Sequence, residues 1–129
     1  MAWRRLVALL LGCSQEGIQL APCRATRVPA LGPGFETRQL KVKGAPAAVY
    51  GELRGKSPYT LLLYNHYDVQ PADPLDLWAS PPFEPTTRDG KLYARGVSDN
   101  KGEIATRLAA LRALRAVHGS LPITIRWII

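Results

Sequence analysis

The sequence is poor in the residues that staple small scaffolds together. Only two cysteines, Cys13 and Cys23, occur in 129 residues. They make neither a disulfide framework nor a tight zinc knuckle. Histidine is as scarce, with His66 and His118 the whole supply. No apolar run approaches the roughly 20 residues that span a bilayer. There is no G-x-G-x-x-G, no phosphate-binding G-K-[ST] and no G-x-S-x-G elbow. Dinucleotide-binding, P-loop and serine-hydrolase chemistry are therefore without their signatures. Acidic residues are outnumbered, 10 against 17 lysines and arginines, for a net charge of +7. Most of the basic residues are single arginines among apolar neighbours. No basic stripe is interleaved with aromatics and no helix-turn-helix or zinc-finger spacing appears, so no nucleic-acid partner is expected.

What is present is a globular composition, 47% hydrophobic and 21% charged, in a length that suits one modest domain or a piece of a larger one. The start, "MAWRRLVALLLGC", carries two readings. Two arginines before a short apolar run resemble an export signal, and "LLGC" resembles a lipoprotein cleavage site. The other reading is an amphipathic helix with Trp3, Leu6 and Leu10 on one side. A cytoplasmic location with no membrane contact is the expectation, and export is the alternative. Residues 13–34 are broken by proline and glycine and read as irregular. The expected division is an uncertain segment over residues 1–33 and a catalytic-domain portion over residues 34–129.

From Phe35 onward the pattern is regular. "FETRQLKV" and "AAVYGELRG" alternate as strands, with Val49, Gly51 and Leu53 on one face, and a hairpin around Lys43 to Pro46 joins them. "YTLLLYN" is apolar on both faces, which reads as a central strand covered on both sides. The proline-rich "PADPLDLWASPPFEPTTRDGKLYARG" reads as a long loop holding at most short extended pieces, and "RDGK" predicts a tight hairpin turn. "KGEIATRLAALRALRAVHG" is the clearest helix. Ile104, Leu108, Leu111 and Val117 fall near one face, Ala105 and Leu114 fill in, and Gly119 is the stop. His118 reads as a cation at the helix C-terminus, not as a ligand. "LPITIRWII" opens another strand. Strand, helix and strand in series predict a βαβ crossover. The fold class expected is α/β: part of a three-layer sandwich, with a mixed, mostly parallel sheet and helices on its faces.

His66 and Asp68 end the apolar strand in "LLLYNHYDVQP". Ligands of open α/β sheets gather at the carboxyl ends of strands, and residues two apart on a strand point the same way. A carboxylate on one imidazole nitrogen fixes the tautomer and frees the other for a metal. The bland alternative is a histidine satisfied by a neighbouring aspartate. Asp99, in "YARGVSDNKGE", sits in a glycine-bounded loop before the long helix. There the bland alternative is a plain helix N-cap.

Together "NHYDVQP", a following "W" and "PF", and "DGKLYARGVSDNKGE" resemble the zinc aminoacylase, carboxypeptidase and dipeptidase family of metallopeptidases, over roughly Gly34 to Ile129. The wording "HYDVQP" is most similar to the dipeptidase branch. The resemblance implies a hydrolase acting on the amide bond of dipeptides or N-acyl amino acids. It implies two divalent metal ions, zinc first, with cobalt and manganese as alternatives. His66 would ligate one metal, Asp68 would orient it, and Asp99 would bridge both. Gly96 and Gly102 would shape the backbone there, and the Asp99–Asn100 bond would be cis. A glutamate base would activate water between the metals. That glutamate, its ligand partner, the distal ligands and the lid or dimerisation domain of a homodimeric parent would follow Ile129. The resemblance therefore implies an N-terminal fragment, inactive as given. The alternative is a non-catalytic remnant that binds metal weakly at most.

Overall fold

The computed structural model describes residue 31 and residues 34–129. The two readings of the N-terminus, the irregular stretch up to residue 30, and both cysteines lie outside the described residues.

Among the described residues, six strands and one long helix form. Strand β1 (Glu36–Leu40) pairs antiparallel with β2 (Ala48–Leu53) through the expected hairpin. Strand β3 (Thr60–Tyr64) leads into the long loop. Within that loop β4 (Thr86–Arg88) and β5 (Lys91–Tyr93) form a small separate hairpin. Its turn places Asp89 at φ 48° and Gly90 at φ 74°, the left-handed pair that an Asp-Gly turn supplies. Helix α1 (Glu103–His118) follows, and β6 (Thr124–Ile128) returns to the sheet.

The helix forms because its sequence is dominated by alanine, leucine and arginine, all strong helix formers. Glu103 sits in its first turn, where an acid complements the helix dipole, and pairs with Arg107 at 3.3 Å. The Gly119 N–H closes the last turn on the Arg115 carbonyl. Ile104, Ala105, Leu108 and Leu111 are buried as expected, whereas Val117 is 76% exposed. At 3.6 residues per turn Val117 falls on the side of the helix opposite Ile104, Leu108 and Leu111, so it does not belong to the buried stripe.

The main sheet has the order β1-β2-β6-β3. The crossover expectation holds: β3 and β6 are direct parallel neighbours, with Leu61 opposite Ile125 and Leu63 opposite Trp127. The expectation of a mostly parallel sheet does not. β2 runs antiparallel to both β1 and β6, so two of the three pairings are antiparallel. The β1–β2 hairpin is antiparallel by its connection, and it docks on the far side of β6 with β2 in the antiparallel sense as well. Strand β3 is also not central. It forms an edge of the described sheet, with Leu62 60% and Tyr64 68% exposed. An apolar run on both faces marks what a strand can bury, not its place in the order.

One face of the sheet meets α1. Val49 and Leu53 from β2, Ile125 and Trp127 from β6, and Ile104, Leu108 and Leu111 from α1 make one core with Leu31 and Leu121. Gly51 lies opposite Trp127. A side chain there would strike Leu31, whose Cδ1 is 2.2 Å from the position a Cβ would take. The described residues thus show two layers, and the second helical layer of a three-layer sandwich is not among them. No helix among them is long and apolar enough to cross a membrane.

Candidate metal centre

The site forms where the carboxyl end of β3 meets the turn before α1. Asn65 extends the β3–β6 pairing by one rung, its N–H donating to the Ile128 carbonyl at 3.0 Å. The chain then leaves the sheet, and His66 is the first side chain beyond it. On the other side, Val97–Gly102 forms a wide turn in which the Lys101 N–H reaches back to the Gly96 carbonyl. Within this turn Asp99 is extended, at φ −112° and ψ 97°, and the Asp99–Asn100 bond is cis, as the resemblance implied. The N-cap position of α1 belongs to Gly102, with no side-chain cap. Asp99 is therefore not the helix cap of the bland reading.

Its carboxylate turns towards His66 instead. His66 Nε2 lies 3.1 Å from Asp99 Oδ1. On the opposite edge of the ring, His66 Nδ1 lies 3.2 Å from Asp68 Oδ1 and 3.1 Å from the Asp68 carbonyl. All three predicted residues converge in one place. Both Asp68 contacts are acceptors, so Nδ1 carries the proton and Nε2 presents its lone pair. That lone pair faces a second acceptor, Asp99 Oδ1. Two acceptors at 3.1 Å call for an electrophile between them, either a proton or a cation. Partial burial works against a charged imidazole. The Asp68 carbonyl and the Asp68 and Asp99 carboxylates outweigh it, raising the His66 pKa above its ordinary value.

A divalent ion fits the same donors. Zinc binds histidine nitrogen and carboxylate oxygen at about 2.0–2.2 Å, which places two donors of one tetrahedral ion about 3.4 Å apart. The observed 3.1 Å is close to that edge. The Asp99 side chain is 76% exposed, so the site opens to solvent on one side. Among the described residues no group of three or more histidines, cysteines, aspartates and glutamates could hold a metal ion. His66 and Asp99 supply two donors where a catalytic zinc takes about three from protein.

Gly96 makes the turn possible. It holds φ 81°, and a Cβ there would stand 2.4 Å from Val69 Cγ1 and 3.0 Å from Lys101 Nζ. Gly96→Ala is expected to cost roughly 1–3 kcal/mol through left-handed strain and overpacking. A thermal melt of the variant checks this, and an unchanged midpoint would show that the turn tolerates a side chain.

Three residues around the site escaped the sequence reading. Lys101 is completely buried and donates Nζ to the Tyr67 carbonyl at 2.6 Å. Burial pushes its pKa down to about 8, against the pull of the Asp68 and Asp99 carboxylates. Asn65 is buried at the strand end. Arg107, from the second turn of α1, reaches back to the Tyr64 carbonyl at 2.7 Å and to the Asn65 side chain. The available signal was an asparagine at the end of an apolar strand, directly before the histidine.

Comparison with known proteins shows which family the chain resembles as a whole. The profile of Peptidase family M20/M25/M40 matches residues 62–129, the span from β3 to the end of β6. Among curated relatives, the chain is 44% identical over 86 residues to the Beta-Ala-His dipeptidase of Homo sapiens, covering 65% of this chain and 17% of that protein. It is 48% identical over 65 residues to the succinyl-diaminopimelate desuccinylase of Azoarcus sp., covering 50% of this chain and 17% of that protein. Among solved structures, an M20 family metallo-carboxypeptidase from Sulfolobus solfataricus superposes with a TM-score of 0.80 at 35% identity, over 97% of this chain and 29% of that one. The chain thus spans less than a third of the length of each of these three. With more than half of its residues matched by the family profile, the chain belongs to Peptidase family M20/M25/M40, a family of hydrolases.

Proposed function

We propose that the chain contributes to the metal centre of a hydrolase that cleaves the amide bond of dipeptides or N-acyl amino acids. The observation that carries this reading is the 3.1 Å approach of His66 Nε2 to Asp99 Oδ1, with Nδ1 held by Asp68 behind it. His66 and Asp99 are the ligands in this reading, Asp99 the bridge between two divalent ions, and zinc the first choice for both. When bound, such ions lower the pKa of water towards neutrality and polarise the amide carbonyl. The chain's own residues do the rest. Asp68 accepts the Nδ1 proton, which keeps the Nε2 lone pair aimed at the ligand position and makes the imidazole a stronger donor. The Lys101 ammonium anchors the Tyr67 carbonyl, between His66 and Asp68. The extended backbone at Asp99 directs its carboxylate away from the helix N-terminus. The names of the dipeptidase and desuccinylase relatives support an amide-bond substrate carrying a free carboxylate.

The test is a chimaera in which residues 34–129 replace the matching segment of the Sulfolobus metallo-carboxypeptidase. Metal-dependent hydrolysis of a dipeptide or N-acyl amino acid is the expected result. Loss of hydrolysis in a folded, metal-loaded chimaera would overturn the reading. Within it, Asp68→Ala is expected to lower zinc affinity and turnover by roughly 10–100-fold, the usual effect of removing a carboxylate that orients a ligand histidine. An effect under twofold would show that the Asp68 carbonyl alone suffices.

A second reading rests on the donor count. With two donors in reach among the described residues, the 129-residue chain alone holds metal weakly and does not turn over. Turnover by the isolated chain would contradict it.

A further inference from the structure

The two segments that carry His66 and Asp99 are tied together one residue away from each ligand. Asn65, which precedes His66, donates its side-chain N–H to the Asn100 side-chain oxygen, and Asn100 follows Asp99. The orientation of the Asn65 amide is dictated by its surroundings. Its Oδ1 receives the Trp127 indole N–H at 2.9 Å and the Arg107 guanidinium. Indole and guanidinium can only donate, so the oxygen must face them, and the amide nitrogen is left to face Asn100. Asn65 is therefore a hub. Its oxygen is clamped by β6 and α1, its backbone N–H by β6, and its amide nitrogen reaches across to the turn carrying Asp99.

From this we infer that Asn65, acting through Asn100, is a positioning residue that sets the His66–Asp99 separation before any metal arrives. The inference rests on the reading of His66 and Asp99 as ligands, but its mechanical part does not. Two ligands on separate loops lose conformational freedom when a metal draws them together, and a site that already holds them near the ligand separation binds with less cost. His66 lies one residue past the rigid strand end, and Asp99 lies in a turn whose own hydrogen bonds run to Gly96 and Ala94. Three links cross between the segments near the ligands: Asn65 to Asn100, His66 to Asp99, and Lys101 to the Tyr67 carbonyl. Only the first ties a β3–β6 anchor to the residue adjoining Asp99. An apolar side chain at position 65 would fill the space but leave the Trp127 and Arg107 donors unpaired and the turn untethered.

The experiment compares four variants of the 129-residue chain. Asn100→Ala cuts only the cross-link, at a half-exposed position. Asn65→Leu removes the whole hub. Asn65→Asp keeps the acceptor for Trp127 and Arg107, and the Asn100 amide can reverse to donate to the new carboxylate. Trp127→Phe removes one hydrogen bond to Asn65 and leaves the cross-link intact. Zinc affinity is read by competition with a chromophoric chelator, folding by thermal melting, and the metal-free His66–Asp99 separation by crystallography. Asn100→Ala and Asn65→Leu are expected to weaken zinc binding by roughly 10–100-fold, the range for outer partners of a metal site, and to widen the metal-free separation. Asn65→Asp is expected to stay within about threefold of the parent. Trp127→Phe, in which Arg107 still holds Asn65 Oδ1, is expected to lower the melting temperature while zinc affinity falls by less than in Asn100→Ala. A purely structural role predicts that melting temperature falls while zinc affinity and separation stay put, and that outcome overturns the inference. If Asn65→Leu does not fold, Asn100→Ala decides. If the parent binds no zinc, the reading of His66 and Asp99 as ligands fails. The metal-free separation in Asn100→Ala then decides the positioning role by itself, with an unchanged separation refuting it.

Discussion

Replacing either His66 or Asp99 with alanine is expected to abolish metal-dependent hydrolysis in the chimaera described above. In the isolated chain either change should reduce zinc binding to background. The magnitude follows from the donor count. With His66 and Asp99 as the donors in reach among the described residues, losing one leaves a single ligand, and one carboxylate or one imidazole exposed to water does not retain a zinc ion against hydration. His66 Nε2 and Asp99 Oδ1 are already 3.1 Å apart, so neither substitution requires the fold to move. The melting temperature should therefore stay close to that of the parent, separating loss of metal from loss of structure. Isothermal titration with zinc, beside a turnover assay of the chimaera, measures both. Undiminished activity in the Asp99→Ala chimaera would remove Asp99 from the metal centre.

The second large effect concerns stability. Trp127→Ala is expected to destabilise the chain by about 3–5 kcal/mol, the range for emptying a buried aromatic site. Trp127 is completely buried, packs against Phe35 with ring centroids 6.3 Å apart, and lies in the same core as Ile104 and Leu108 of α1. Its loss opens a cavity between sheet and helix. It also removes the indole N–H from Asn65 Oδ1, so the effect reaches the end of β3. Against a total stability of about 5–15 kcal/mol for an ordinary domain, such a loss shifts much of the population to unfolded chain. Urea denaturation followed by circular dichroism measures it. A midpoint within experimental error of the parent would show that the described core is not what holds the molecule together.

Much of the local structure was legible in the sequence. The α1 register, the Asp-Gly turn, the β1–β2 hairpin and the stop at Gly119 each depend on residues a few positions apart, whose chemistry acts at that range. The family resemblance was legible for a related reason. It is carried by two short stretches, "NHYDVQP" and "GVSDNKGE", each complete within a few consecutive positions. Val117 shows where local pattern was misread. At 3.6 residues per turn it falls on the side of α1 opposite Ile104, Leu108 and Leu111, so it was the periodicity, not the packing, that was misjudged there.

The sequence by itself determined which segments become strand, turn and helix, and which side chains could serve as metal donors. Those outcomes follow from backbone preference, apolar periodicity and donor chemistry, all properties of neighbouring residues. Only the tertiary structure decided that the β1–β2 hairpin lies beyond β6, that β3 forms an edge of the described sheet, and that the pairing is mostly antiparallel. Strand order is set by competition among distant faces for burial, and the apolar run of β3 would have suited either place. Only the tertiary structure, too, joined His66 to Asp99 across 33 positions and made a hub of Asn65. An amide flanked by an indole from β6 and a guanidinium from α1 acquires its direction from those partners, and they meet only when sheet and helix have packed.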